Sequence, residues 1–274
     1  HCDNQRPAMN SFIGTRTPID VRSAVIPALT NSVQVNFDCD NLEQGIELLN
    51  RSLMHAPFVT ALGANAGMID QSDSGFADIR YIAWAISHDI RTWDEALSGL
   101  DIHIGIPSRY YGDINDYFNS VLRHPFFMEV PEDKAFAVGI GTYWRDARIK
   151  FLPKPDHTQL VLELRPLSTQ PTIEGDYSLL MFYIGRIYCD YLYRSRLLPI
   201  EYVRANKELS MRLGRQAHFV TYDKYGQLCP FSFDELFDRE VDLAMWGLSE
   251  YGMEQDNVEK IRAYIINNYR TGAP

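Results

Sequence analysis

Segments that alternate apolar and polar residues are followed by longer segments of helical periodicity. The segment Ser32–Asp38, S-V-Q-V-N-F-D, places three apolar side chains on one face and two amides and a carboxylate on the other. Residues 160–165, L-V-L-E-L-R, place three leucines on one face and a valine, Glu163 and Arg165 on the other. A period of two is typical of a β-strand. Both segments therefore predict strands of a sheet with one apolar and one polar face.

Helical periodicity follows the first strand and dominates the last third of the chain. Asp40 or Asn41 can cap a helix that continues toward Leu62, with a kink or break expected at Pro57. Recurrence of apolar residues every three or four positions predicts further helices at 76–88, 114–123 (capped by Asp113), 177–194, 200–213, 233–251 and 258–269. Residues 1–30 are predicted to be irregular and residues 135–164 rich in strands. This mixture, without regular βαβ alternation, predicts an α+β fold.

Composition and charge narrow the function classes. The chain has 274 residues, 46% of them hydrophobic, and a net charge of -10, which disfavours nucleic acid as a general partner. Its longest apolar stretches, such as residues 179–187, are too short to span a bilayer. The first residues are polar and predict no secretory signal, and the four cysteines lack the C-x-x-C spacing of zinc sites. We therefore expect a cytoplasmic protein with reduced thiols and no membrane partner.

The polar faces of the two predicted strands are the first candidate site. Gln34 and Asn36 can line a polar cleft, or they can form the solvated outer face of a sheet. Glu163 and Arg165 can be a magnesium ligand beside a phosphate-binding guanidinium, or members of a cross-strand salt bridge. Spacing alone leaves both alternatives open.

A basic segment and a loop are further candidates. Residues 142–150, T-Y-W-R-D-A-R-I-K, contain Arg148 among three cations that can hold a triphosphate or protect a strand edge. The loop before the helix predicted at 76–88 contains Ser74, which with the helix N-terminus can bind a carboxylate or phosphate. Arg80 and Trp84 share one face of that helix and can reach a cleft together, or they can form a surface stack. Rossmann and P-loop motifs are absent from the sequence.

Taken in order, these segments resemble the glutamate–cysteine ligase superfamily, especially its plant and proteobacterial branch. The resemblance runs from about Ser32 to Tyr251. It rests on S-V-Q-V-N-F-D, P-F-V-T-A-L-G-A-N-A-G, S-G-F-A-D-I-R-Y-I-A-W, W-R-D-A-R-I-K, L-V-L-E-L-R and N-K-E-L-S-M-R-L-G. It implies a glutamine-synthetase-like antiparallel sheet that cups ATP and Mg²⁺. The implied reaction is ATP-dependent joining of a carboxylate and an amine through an acyl phosphate, with small amino acids as substrates.

The resemblance also implies roles for individual residues. Glu163 would ligate the metal, and Arg165 would contact the transferring phosphate. Arg80 would act in catalysis and substrate binding. The implied substrate-binding partners of Arg80 are Trp84 and Ser74, and the implied nucleotide-binding residues are Arg148, Gln34 and Asn36.

Two departures from the family pattern lead to further expectations. The family has an early strand with a G-x-E-x-E carboxylate pair, and residues 1–31 contain no such motif. We therefore expect residues 1–274 to form one ligase-like catalytic domain that lacks an N-terminal portion of the full fold, or that a partner chain completes. The alternative is a non-catalytic relative that binds a small molecule or a partner. No acidic residue follows the Glu-x-Arg motif closely, so cysteine need not be the acceptor amine.

Overall fold

Strands and helices are mixed along the chain, as the α+β prediction requires. The computed structural model describes residues 30–69, 71–89, 91–124, 140–141 and 143–270. Its strands are β1 (Ser32–Asp38), β2 (Met68–Ile69), β3 (Ser72–Asp73), β4 (Ile104–Gly105), β5 (Trp144–Arg145), β6 (Ala147–Pro153), β7 (Thr158–Ser168), β8 (His218–Tyr222) and β9 (Leu228–Ser232). Its α-helices are α1 (Leu42–Leu62), α2 (Arg80–His88), α3 (Trp93–Leu97), α4 (Ile114–Leu122), α5 (Ile173–Tyr193), α6 (Ile200–Leu213), α7 (Phe233–Glu250) and α8 (Gln255–Tyr269). No described helix is long and apolar enough to cross a membrane.

The main sheet has three antiparallel strands in the order β1-β7-β6. Asn36 of β1 lies opposite Glu163 of β7, which lies opposite Arg148 of β6, so these three side chains share one face. The β1–β7 register shifts between Val33 and Val35, where β7 contains one extra residue. The polar face of this sheet consists of Gln34, Asn36, Glu163, Arg165, Arg148 and Lys150.

The opposite face of the sheet is apolar and packs on helix α1. It is formed by alternate residues of the three strands: Val35, Phe37, Leu162, Leu164, Ala147 and Ile149. The central strand is buried most deeply, and α1 packs on β6 and β7 as well as on α5 and α6, so a single core extends from the sheet through the helices. The two-faced sheet predicted from alternation is thus confirmed.

Helix α1 runs through Pro57 to Leu62 as predicted, and of the expected kink or break at Pro57 the break does not occur. The helix begins after Asn41, whose side chain accepts a hydrogen bond from the Gln44 N–H at 2.9 Å, and it ends at Leu62. Leu53 and Ala61, one turn before and one turn after Pro57, are fully buried. Packing on both sides therefore holds the helical path in spite of the missing proline N–H.

The helix predicted at 76–88 begins only at Arg80. The N–H groups of Ala77 and Asp78 donate to the carbonyl oxygens of Arg212 and Met211, and the Ile79 N–H donates to that of Ala66. These tertiary hydrogen bonds hold the segment in a non-helical path. The predicted start of the helix is therefore wrong by four residues.

The bounds of α4, α6, α7 and α8 agree with their predictions within three residues, and α5 begins four residues before its predicted start. Helix α3 and the β8–β9 hairpin were not predicted. Helix α6 has the predicted bounds, and α4 begins after its predicted cap, Asp113. In the hairpin turn the Asp223 carboxylate accepts hydrogen bonds from the N–H groups of Tyr225 and Gln227, both at 2.8 Å. Residues 1–29 and 125–139, where irregular chain and strands were predicted, lie outside the described residues. The described cysteines, Cys39, Cys189 and Cys229, are free.

Candidate functional site

A cavity of about 100 Å³ opens at the bulged end of the polar face. This first cavity lies between β1, β7, α2 and α6. Four residues singled out in the sequence line it together: Gln34, Arg80, Trp84 and Arg165. The remaining charged side chains of its wall are Asp78, Arg145, Asp146 and Lys207. Most ligand sites measure about 300–1,000 Å³, so this cavity suits one phosphate or carboxylate group rather than a whole nucleotide.

Next to the cavity, three cations surround the single carboxylate of Glu163. One carboxylate oxygen lies 2.5 Å from Arg148 Nε and 3.6 Å from Arg165 Nε, and the other lies 2.9 Å from Lys150 Nζ. Burial alone would raise the pKa of Glu163, but Arg148, Lys150 and Arg165 outweigh that effect and lower the pKa. Glu163 is therefore ionised, and the cluster keeps an excess of positive charge.

Arg165 is the least compensated of these cations. Its Nη1 donates to the Tyr143 carbonyl at 3.2 Å, and its buried Nε makes no hydrogen bond with any described residue. Burial, followed by the repulsion from Arg148, lowers the pKa of Arg165 to about 10. A buried guanidinium with unused donors at a cavity wall is well suited to bind an anion.

Arg80 is engaged mainly by the protein itself. Its Nη2 donates to the Pro166 carbonyl at 2.7 Å, and its Nη1 donates to the carbonyls of Leu167 at 2.9 Å and Asn31 at 3.2 Å. Its Nε donates to Asp78 at 3.2 Å. Most of its five donors are thus used by the protein, and two of these hydrogen bonds hold β7 just after Arg165. This geometry favours positioning of Arg165 over direct substrate binding.

Ser74, Asn36 and Arg148 do not line the first cavity. The Ser74 hydroxyl donates to the Gly67 carbonyl at 2.6 Å, and the first N–H of α2 donates to Asp78, so the anion site expected at this helix start is already occupied by protein. Arg148 holds Glu163 and the carbonyls of residues 140 and 141. The roles implied for these residues remain predictions.

Lys207, Asp146 and Thr60 are cavity residues that the sequence reasoning missed. Lys207 Nζ lies 2.9 Å from the Asp146 carboxylate and donates to Thr60 Oγ1 at 2.7 Å. A signal for Lys207 exists in the sequence, because it shares a helix face with the buried Val203 and Met211. A lysine on a buried helix face requires an anionic partner nearby.

Trp84 and Trp144 form an aromatic wall of the cavity, with ring centroids 4.7 Å apart. Three histidines pack behind this wall. Burial lowers the pKa of His88 and His124 to about 4, and Arg145 contributes at His124. Both ring nitrogens of the buried His103 lack a hydrogen-bond partner among the described residues, and burial lowers its pKa as well.

We expect this histidine cluster to make the protein acid-sensitive. Unfolded imidazoles titrate near pH 6.5, whereas the folded pKa values of His88 and His124 are about 4, so between these pH values the unfolded state binds more protons. Stability is therefore lost as the pH falls from 6.5 to 4, by up to about 1.4 kcal/mol per pH unit for each histidine. Urea unfolding between pH 7 and pH 5 measures this slope. His124→Gln should reduce this slope by the contribution of one histidine. A slope unchanged in His124→Gln would contradict the prediction.

The described residues do not by themselves fit a magnesium ion. No group of three or more His, Cys, Asp or Glu side chains among them could hold a metal. Both oxygens of Glu163 already face Arg148 and Lys150, whose charges repel a divalent cation. Magnesium takes one or two carboxylates together with substrate phosphates. The prediction that Glu163 ligates Mg²⁺ is thus not supported by the donors described.

Comparison with known proteins finds one family. The model of "Glutamate-cysteine ligase family 2" matches residues 20–216, well over half of the chain and all residues of the first cavity. A search of curated proteins found no match.

Proposed function

We propose that this chain, which belongs to glutamate–cysteine ligase family 2, joins a carboxylate to an amine at the expense of ATP through an acyl phosphate. The family consists of ATP-dependent carboxylate–amine ligases. The observation that carries the proposal is the incompletely paired Arg165, which lines a cavity beside Arg148, Lys150 and Glu163. An excess of positive charge at a cavity of this size favours a phosphoryl group as the ligand.

In the proposed reaction, the substrate carboxylate attacks the terminal phosphorus of ATP and ADP leaves. The amine then attacks the acyl carbon, an amide bond forms, and phosphate is released. Phosphoryl transfer requires positioning and charge neutralisation more than covalent help from the protein. Arg165 supplies this charge at the cavity wall, and Arg80 holds the backbone that follows it.

The other residues complete the proposed site. The polar face around Glu163 carries the nucleotide phosphates, with Arg148 and Lys150 as cations and Gln34 and Asn36 as amides. In this arrangement Glu163 holds the side chains of Arg148 and Lys150 in place. The family resemblance implies magnesium, but no step of the proposed reaction depends on it. Trp84 packs against the substrate that carries the carboxylate. The three-stranded sheet then forms part of a glutamine-synthetase-like cup, with small amino acids as substrates.

Calorimetric titration with a non-hydrolysable ATP analogue, with and without magnesium, tests the nucleotide site. We expect binding to the full chain, and about tenfold weaker binding for Lys150→Gln, because a partly exposed cation next to the phosphates is removed. Lys260→Gln, which removes an exposed lysine of α8, is the matched control. Binding should then be followed by ADP release in the presence of glutamate and a panel of amines.

The two magnesium conditions separate the possible outcomes. Binding only with magnesium would support Glu163 as a ligand together with donors outside the described residues. Binding without magnesium would support the cation cluster as the phosphate site. Absence of binding in both conditions would contradict the ligase proposal and favour the non-catalytic relative.

A further inference from the structure

A second cavity, of about 270 Å³, lies on the other side of α1 from the main sheet. It is enclosed by α1, α5, α6, β8 and α7, and none of its lining residues lines the first cavity. Its wall is largely apolar, with Met54, Phe58, Leu198, Phe219, Leu236 and Leu243. Protein interiors seldom contain voids larger than a water molecule, and this volume approaches that of small-ligand sites.

Buried polar groups lie at one side of the second cavity. The His55 Nε2 atom lies 2.8 Å from the Asp190 carboxylate. Asp190 also accepts a hydrogen bond from Arg186 at 2.6 Å, and Arg186 donates to Glu240 at 2.6 Å. Burial, followed by the charge of Arg186, lowers the pKa of His55, so the ring is neutral. Its Nε2–H is used by Asp190, and its Nδ1 remains as a hydrogen-bond acceptor for a ligand.

Arg196 provides an uncompensated positive charge at the rim. Its guanidinium lies 5.1 Å from the centroid of the Tyr222 ring, and no carboxylate of the described residues forms an ion pair with it. Arg239, the other exposed cation of the lining, is paired with Glu240 at 3.0 Å. The free charge of Arg196 selects for an anionic group on a ligand that enters the cavity.

We propose that the second cavity is a binding site for a small hydrophobic carboxylate that also carries a hydroxyl or amino donor. The carboxylate pairs with Arg196, the apolar body fills the space between Phe58 and Leu236, and the donor binds His55. The site is independent of the ligase proposal, because the two cavities share no residue. The family match covers residues 20–216. Part of the lining of the second cavity lies beyond that segment, at Phe219, Leu236 and Leu243.

Titration calorimetry on the full chain tests the site with three probes. 3-(4-Hydroxyphenyl)propanoate carries all three features, 3-phenylpropanoate lacks the donor, and 4-ethylphenol lacks the carboxylate. We expect the first probe to bind with a Kd below about 1 mM. The other two should bind about tenfold more weakly, since each loses one polar contact. Fluorescence of Trp246 offers a second readout, since its ring stacks on Tyr193 of the cavity wall at 4.5 Å.

Two variants place the binding in this cavity. Leu243→Trp fills the space from a half-buried position and should abolish binding of all three probes. Arg196→Gln should weaken binding of the carboxylates about tenfold and leave 4-ethylphenol unchanged. Arg262→Gln, which changes a half-buried arginine outside the cavity, is the control. Circular dichroism establishes that each variant folds. Failure of the first probe to bind at about 10 mM, or equal affinity in Leu243→Trp and the unchanged chain, would overturn the proposal.

Discussion

Arg165→Ala is expected to slow ATP-dependent amide formation at least about 10³-fold, the range seen when a charge-stabilising arginine is removed from a phosphoryl-transfer site. The reason is the position of Arg165 at the cavity wall, where its Nε makes no hydrogen bond with any described residue. Stability should be unchanged or raised, because burial disfavours the charge that is removed and Glu163 keeps Arg148 and Lys150. Steady-state ADP release and thermal unfolding measure the two effects.

Two further variants test whether the charge and shape of Arg165 cause this loss of rate. Arg165→Lys keeps the charge but loses the planar fork, so it should recover only part of the rate. Arg262→Ala, which removes a half-buried arginine on α8 outside the first cavity, should retain full activity. A kcat of Arg165→Ala within tenfold of the unchanged chain would show that Arg165 does not contact the transferring phosphoryl group.

Arg186→Met is expected to lower the free energy of unfolding by about 3–5 kcal/mol, the usual cost of removing one partner from a buried ion-pair network. Arg186 joins Asp190 of α5 to Glu240 of α7, and all three residues are buried. These two helices cross at Gly185 and Gly247, where an added Cβ on Gly247 would lie 1.9 Å from the Gly185 carbonyl oxygen. Without Arg186, the buried carboxylate of Asp190 keeps only His55 and that of Glu240 keeps only Arg239, so both buried charges are less well compensated.

Urea unfolding of three variants tests this account. The triple variant Arg186→Met/Asp190→Asn/Glu240→Gln should recover most of the lost stability, because it leaves no buried charge unpaired. Arg262→Met removes a surface ion pair with Asp242 and should change stability by less than about 0.5 kcal/mol. The Arg186→Met deficit should also shrink at low pH. In the unchanged chain burial raises the pKa of Asp190, but His55 and Arg186 outweigh it and hold that pKa well below its usual range. Loss of Arg186 lets the carboxylates take up protons. A deficit below about 1 kcal/mol at neutral pH would contradict the network's role.

Local sequence patterns were sufficient to predict a strand or helix where the burial of one of its faces determines its conformation. Alternation in S-V-Q-V-N-F-D predicted β1 with its observed bounds, and helical periodicity predicted the bounds of α6. The α+β class and the family resemblance followed from the same segments, and the family match confirms the resemblance. Prediction failed at residues 76–79, where tertiary hydrogen bonds to residues 66, 211 and 212 replace the helical ones. At Pro57, where a kink or a break was predicted, core packing keeps α1 unbroken.

The amino-acid sequence by itself determined which residues share the polar face, because successive side chains of a strand point to alternate faces of the sheet. Only the tertiary structure decided how their charges pair. The β7–β6 register brings Arg148 and Lys150 onto Glu163. The extra residue in β7 lies next to Arg165, which lines the cavity, and the bonds from Arg80 hold that bend. Lys207, more than forty residues further along the chain, reaches the same cavity through the packing of α6 on α1. Such long-range contacts leave no local periodicity in the sequence, since they depend on how separate elements pack together.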